Sequence, residues 1–260
     1  MDLGLAGKRA LVVGGSKGLG KAVAIALLAE GATVTAAARS RDGIEAWRAG
    51  LPGDQAARLD ARDLDLADPA SVDRLAEALL PGGVDVLVNN CGGPAPGGVV
   101  GTAPDTWAGA FASMAGAVFR LTDRLIGPML ERGWGRVITI GSAGIEQPIP
   151  NLAVSNAIRG SVAGWSKSLA NEVAARGVTV NMVLPGRVAT DRVASLDANR
   201  AKTQDLDIET VRSQARAEIP MRRYGTPEEF AAVVAFLAGQ PASYVTGSMI
   251  RVDGGAIKGL

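Results

Sequence analysis

Four glycines in a short interval carry the first chemical signal. The stretch Val13-Gly14-Gly15-Ser16-Lys17-Gly18-Leu19-Gly20 follows the apolar run Ala10-Leu11-Val12-Val13 and precedes Lys21-Ala22-Val23-Ala24-Ile25-Ala26-Leu27-Leu28. The apolar run reads as a buried parallel strand and the later segment as a helix. Strand, glycine loop and helix in that order suit a dinucleotide pyrophosphate. The glycines permit a tight turn and close approach, and the helix N-terminus offers free N–H groups and a partial positive charge. The spacing is G-x-x-x-G-x-G rather than G-x-G-x-x-G, and alone it also fits a plain strand–helix turn.

Composition removes other chemistries. The chain has no histidine, which excludes Ser–His and Cys–His nucleophile systems and His-based zinc sites. Its one cysteine, Cys91, allows no internal disulfide and no cysteine cluster for a metal. A net charge of +1 over 260 residues draws it to neither nucleic acid nor a membrane surface. The N-terminus does not read as a signal peptide and the apolar runs are too short to span a bilayer, so a cytoplasmic protein is expected.

The elements that must position the loop alternate along the chain. Strands are expected at Thr33–Ala38, 57–61, Val84–Asn89, Arg136–Ile140, Thr179–Leu184 and Met249–Val252. Helices are expected at 44–49, Pro69–Leu80, Asp105–Arg132, Ser155–Arg176 and Pro227–Ala238, and a charged, partly helical stretch at Asp191–Glu218. Cys91–Pro104 reads as a Gly/Pro-rich loop. Repeated strand–helix units imply an α/β fold: a Rossmann-type, doubly wound parallel sheet flanked by helices on both faces. No linker-like break divides the chain, so residues 1–260 read as one domain.

Taken together, the motifs resemble the short-chain dehydrogenases/reductases over essentially the whole length. The residues that carry the resemblance are Gly14 to Gly20, Asp65-Leu66, Asn89-Asn90-Cys91-Gly92, Ser142, Leu184-Pro185-Gly186 with Thr190, and Val252-Asp253-Gly254-Gly255. Gly92-Gly93-Pro94, Gly133-Trp134-Gly135-Arg136 and Pro150-Asn151-Leu152 are similar to a divergent group beside the 3-oxoacyl-carrier-protein reductases. The resemblance implies NADP(H) binding in a single cofactor-binding domain, with 187–218 as a substrate lid. Gly14, Ser16, Lys17, Gly18, Leu19 and Gly20 would hold the pyrophosphate. Asp65 and Leu66 would flank the adenine, and Asn89 would brace the strand end near the adenosine ribose. Cys91, Gly92, Pro185, Gly186, Val188 and Thr190 would line the nicotinamide side. Arg39, where an NADH site usually has an acid, joins Lys17 in suiting a 2′-phosphate.

The resemblance also exposes a departure. The family reduces carbonyls with a tyrosine, a lysine four residues on, a serine and an asparagine. Ser142 matches the serine. Ser155 stands in the tyrosine place, Arg159 in the lysine place and Met114 in the asparagine place, and the two tyrosines, Tyr224 and Tyr244, lie elsewhere. Arginine does not give up its proton, so Arg159 supplies fixed charge and a hold on a ribose hydroxyl, not acid–base chemistry. Ser155 reads either as a helix N-cap or as a catalytic hydroxyl. Glu146 is the remaining acid/base candidate, and Cys91 a small buried residue or a nucleophile. The interleaved charges of Asp191–Glu218 read as a solvated lid face or a docking face for an acyl carrier.

Three functions fit these residues. The first is NADP(H)-dependent reduction of a small carbonyl, or oxidation of an alcohol, free or carrier-linked, through Ser142, Ser155 and Arg159. The second is a non-redox lyase or isomerase. The third is a catalytically silent subunit paired with an active homologue. Small residues along Asp105–Arg132 and Ser155–Arg176 (Ala108, Ala112, Gly116, Gly160, Ala163, Gly164) imply helix packing across a two-fold axis, and the resemblance implies a homotetramer. A hetero-oligomer with a homologous subunit stays open.

Overall fold

The computed structural model describes residues 1–259. Among them, seven parallel strands form one sheet: β1 (Arg9–Val13), β2 (Thr33–Ala38), β3 (Leu59–Asp63), β4 (Val86–Asn89), β5 (Gly135–Ile140), β6 (Val178–Pro185) and β7 (Met249–Val252). Their spatial order is β3-β2-β1-β4-β5-β6-β7. The chain therefore starts near the centre, runs outward to β3, and returns to place β4 on the other side of β1. That reversal opens a crevice between the carboxyl ends of β1 and β4, where ligands of such sheets bind. It sets the glycine loop beside Asn89–Gly92.

The helices are α1 (Gly18–Ala29), α2 (Asp42–Arg48), α3 (Gly53–Ala57), α4 (Pro69–Leu79), α5 (Pro104–Phe111), α6 (Ala117–Arg132), α7 (Ala153–Val173), α8 (Asp191–Gln204), α9 (Ile208–Glu218) and α10 (Pro227–Ala238). They cover both faces. Along β1, Val12 points into a layer with Leu27 of α1 and Phe230 and Val234 of α10. Leu11 and Val13 point the other way, into a layer with Leu75 of α4 and Leu121 and Leu125 of α6. This two-sided burial is why the strands read as continuous apolar runs. A smaller apolar cluster, with Met114, Val154, Ile158, Val162, Met182 and Leu184, lies beneath α7.

The structure moves several expected boundaries. The third strand is Leu59–Asp63 rather than 57–61, because Gly53–Ala57 forms a helical turn behind Pro52 and pairing begins only at Leu59, opposite Val34. The expected helix Asp105–Arg132 is broken by a π-helical turn at Ala112–Gly116. There the Ser113 hydroxyl donates to the Gly109 carbonyl at 2.8 Å, a back-bond that bends helices. The second long helix starts at Ala153 and ends at Val173, with a 3-10 turn at Ala174–Arg176. No helix among the described residues is long and apolar enough to cross a membrane.

Candidate active site

The glycine loop forms a cradle that tolerates no side chain at two points. A Cβ at Gly20 would lie 2.2 Å from the Gly14 carbonyl oxygen, and one at Gly15 would lie 2.8 Å from the Ala36 Cβ. Gly14 and Gly18 adopt φ of 70° and 56°, the left-handed region that glycine occupies without steric cost. The Trp47 indole N–H donates to the Gly15 carbonyl at 3.1 Å and holds the turn from below. No side chain caps the start of α1, and Lys17 occupies the N-cap position in an extended conformation. The leading amides of α1 are thus left for a ligand, and the helix dipole favours an anion there.

The other expected nucleotide contacts sit at the same edge. Arg39 directly follows β2 and, like Lys17, is exposed. Asp65 follows β3, and one of its carboxylate oxygens accepts the Ala67 N–H at 2.9 Å. Leu66, beside it, is half-buried against the core. The buried Asn89 donates through Nδ2 to the Thr122 hydroxyl of α6 at 3.0 Å, which ties the end of β4 to α6. Its Oδ1, like the buried Thr139 hydroxyl beside it on β5, has no protein partner. Both residues line a small cavity that also touches Cys91, Met114, Gly141 and Arg159. Gly92 faces open space.

Thr190 closes the crevice from the β6 side. Its hydroxyl accepts the Val193 N–H and caps α8. A Cβ placed on Gly18 would lie 3.6 Å from the Thr190 methyl. Val188 is buried, and Pro185 and Gly186 run beside Asp253, which a Cβ at Gly186 would meet at 2.7 Å.

The chemistry-bearing side chains lie where β5 meets α7. Ser142 starts a 3-10 turn, Ala143–Ile145, and its Oγ accepts the Gly144 N–H at 3.1 Å. That role uses a lone pair and leaves the hydroxyl proton free to donate. Ser155 is not the N-cap of α7. Leu152 is, because the backbone pairs with Gly97 and lets Ala153 and Val154 open the helix earlier. The cap reading of Ser155 therefore fails, and the residue lies buried within the first turn of α7, one turn before Arg159. Arg159 donates through Nη1 to the carbonyls of Ile140 and Gly141, at 3.1 and 3.2 Å, and through Nη2 to that of Cys91 at 3.2 Å.

Two of the weaker candidates have other engagements. Glu146 is ion-paired with Arg251 of β7. The Cys91 thiol points at the Met114 carbonyl, 3.8 Å away, inside the π-helical turn. Tyr224 lies outside the β5–α7 cluster. Its hydroxyl donates to Asp197 at 2.9 Å, and burial followed by the Asp197 hydrogen bond pushes its pKa up rather than down.

Two residues escaped the sequence reading. The Asn90 side chain fills the space beneath the glycine loop, where its Nδ2 lies 2.5 Å from the position a Cβ on Gly14 would take. Asn156 accepts the Ile149 N–H at 3.3 Å and donates to its carbonyl at 2.9 Å, stapling the loop after Ser142 onto α7. Asn90 stood within a quoted motif, whereas nothing local marked Asn156.

Comparison with known proteins fits this geometry. Residues 13–256 match the family model described as enoyl-(acyl carrier protein) reductase. The 3-oxoacyl-[acyl-carrier-protein] reductase FabG of Escherichia coli is 36% identical over 251 residues, covering 96% of this chain and 97% of its own. The chain belongs to the short-chain dehydrogenase/reductase superfamily. Among solved members of the superfamily, L-sorbose reductase from Gluconobacter frateurii, complexed with NADPH and L-sorbose, superposes with a TM-score of 0.93 at 31% identity, over all of both chains. The actinorhodin polyketide ketoreductase with NADPH gives 0.90 at 34% identity, over 96% of this chain and 97% of its own.

Proposed function

We propose that the chain is an NADP(H)-dependent oxidoreductase acting on a small carbonyl or alcohol substrate through an atypical site. One observation carries the reading: the tightly packed glycine loop, with no room for a side chain at Gly15 or Gly20, leads into an α1 whose first amides no side chain caps. Gly14 to Gly20 would hold the pyrophosphate, Arg39 and Lys17 the 2′-phosphate, Asp65 the adenine, and Val188 and Thr190 the nicotinamide end. When bound, NADPH supplies a hydride. Ser142 donates its free hydroxyl proton in a hydrogen bond to the substrate oxygen. Arg159 adds positive charge next to it, held rigid by carbonyls of the β4 and β5 ends. Ser155 provides a second hydroxyl in place of the usual tyrosine. Residues 187–218 cover the substrate side as a lid within a single domain, and the assembly is a homotetramer.

A second reading is a silent subunit. It draws on Arg159, whose Nη1 and Nη2 donate to backbone carbonyls and whose proton is not available. Equilibrium titration with NADPH, followed by ketone-dependent NADPH consumption, separates the two. Binding with slow turnover supports the first reading. Binding with turnover only on adding a homologous partner supports the second. No NADPH binding refutes both.

A further inference from the structure

Along its 14 residues, α8 buries a single residue, and that residue is an aspartate. Surface helices ordinarily dock through an apolar stripe. Here Val193 and Leu196 are only half-buried, while Asp197 is 1% exposed. A carboxylate in such a place is tolerated only with partners. Asp197 has two: the Arg187 guanidinium donates to Oδ1 at 2.6 Å, and the Tyr224 hydroxyl to Oδ2 at 2.9 Å. Arg212 of α9, the nearby alternative, turns to Glu209 instead, at 2.6 Å.

Each partner comes from a different part of the chain. Arg187 directly follows Pro185-Gly186, in the segment that runs to Thr190. Tyr224 lies between α9 and α10, and the next residue is pinned to that same segment. The Gly225 N–H donates to the Arg187 carbonyl at 3.0 Å, and its carbonyl accepts the Ala189 N–H at 2.9 Å. Other holds on α8 are also polar: Arg192 donates to the Pro94 carbonyl at 3.0 Å, and Arg200 to the Gln214 side-chain oxygen of α9 at 3.0 Å.

We propose that Asp197, Arg187 and Tyr224 form a polar latch that fixes α8 over the crevice and holds the Arg187–Thr190 segment in its cofactor-binding shape. They are positioning residues, and the proposal rests on the reading of that segment as cofactor-lining. An apolar anchor would weaken gradually on truncation. This one depends on pairing, because removing either partner leaves the buried Asp197 carboxylate short of a donor.

The test uses the full chain with Asp197→Asn and Tyr224→Phe. Amide hydrogen exchange is measured without nucleotide, and NADPH affinity by equilibrium fluorescence titration. Asp197→Asn should speed exchange within 191–204 by roughly tenfold, as expected when a local unit loses its anchor, with exchange in α1 and α10 unchanged. The NADPH Kd should rise about fivefold, in line with a coupling of about 1 kcal/mol. Tyr224→Phe, which removes one hydroxyl and keeps the ring, should do the same more weakly, and it carries the test if Asp197→Asn does not fold. Unchanged exchange in α8 in the folded variants would overturn the latch. Faster exchange spread across the sheet would reduce it to general stability and also overturn it. If no form binds NADPH, the cofactor reading fails, while the exchange arm still decides whether the latch exists.

Discussion

The Arg159 guanidinium donates to the carbonyl of Cys91 at 3.2 Å, although 68 residues separate the two in the chain. With its bonds to Ile140 and Gly141, this ties α7 to the carboxyl ends of both β4 and β5. A planar fork can reach carbonyls on two strands at once, which a single ammonium does less well. Arg159→Ala should therefore destabilise the fold by about 2–4 kcal/mol, the range for losing several charge-assisted hydrogen bonds. Arg159→Lys should lie between alanine and the native protein. Denaturant unfolding measures both.

The fixed charge does not replace a proton donor. If Ser155 and Arg159 stand in for the tyrosine–lysine pair, as proposed, turnover of simple ketones should fall about 10²–10⁴-fold below that of ordinary family members, the usual contribution of a positioned general acid. Ser142→Ala should remove most of what remains, read as kcat with little change in NADPH affinity.

The nucleotide preference should be for NADPH. Arg39 and Lys17 are exposed at the ends of β2 and the glycine loop and form no ion pair among the described residues. Arg39→Asp should lower NADPH affinity by about tenfold or more, as loss of a phosphate-binding cation with reversal of its charge would do. Equal dissociation constants for NADH and NADPH in the native protein would contradict this.

Acid should loosen α10. Thr226 and Glu229 form a reciprocal capping box, and the Arg223 guanidinium, with the Thr226 amide, lowers the Glu229 pKa from 4.5 to about 2. A carboxyl lowered on folding contributes stability above its unfolded pKa and loses it as pH falls through the folded one. Glu229→Gln should lower Tm near neutral pH, and the gap to the native protein should close between about pH 4.5 and 2. Thermal scans across that range check it.

Assembly should follow the outer faces of α5, α6 and α7. Phe119 stacks on Trp165 with ring centroids 4.6 Å apart, and Phe111, 44% exposed, meets Phe119 edge-on at 6.2 Å. If the proposed tetramer forms through these faces, Phe111→Glu should reduce it to a smaller species by light scattering.

Legibility tracks locality. Helix α10, Pro227–Ala238, is legible because its start signals, Thr226, Pro227 and Glu229, lie within four residues of sequence. Strands β2 and β7 are likewise legible, and the glycine cradle sits in one stretch. The π-helical turn at Ala112–Gly116 was invisible because its residues suit an α-helix equally well. The early start of α7 depended on Gly97, far back in the chain. The carbonyl contacts of Arg159, the staple of Asn156 and the burial of Asp197 arise from tertiary packing and leave no periodic trace.

The proposed site transfers hydride from NADPH without a tyrosine–lysine pair. The direct measurement incubates ketones with NADPH deuterated at the transferable position, using the native protein and the double change Ser155→Tyr with Arg159→Lys, and follows deuterium in the product by mass spectrometry. Slow labelling by the native protein is expected, with labelling about 10²-fold faster by the double variant, as restoring a general acid would give. Labelling by the native protein at ordinary family rates, unaffected by Ser155→Ala, would contradict it, as would no labelling by either protein with NADPH bound.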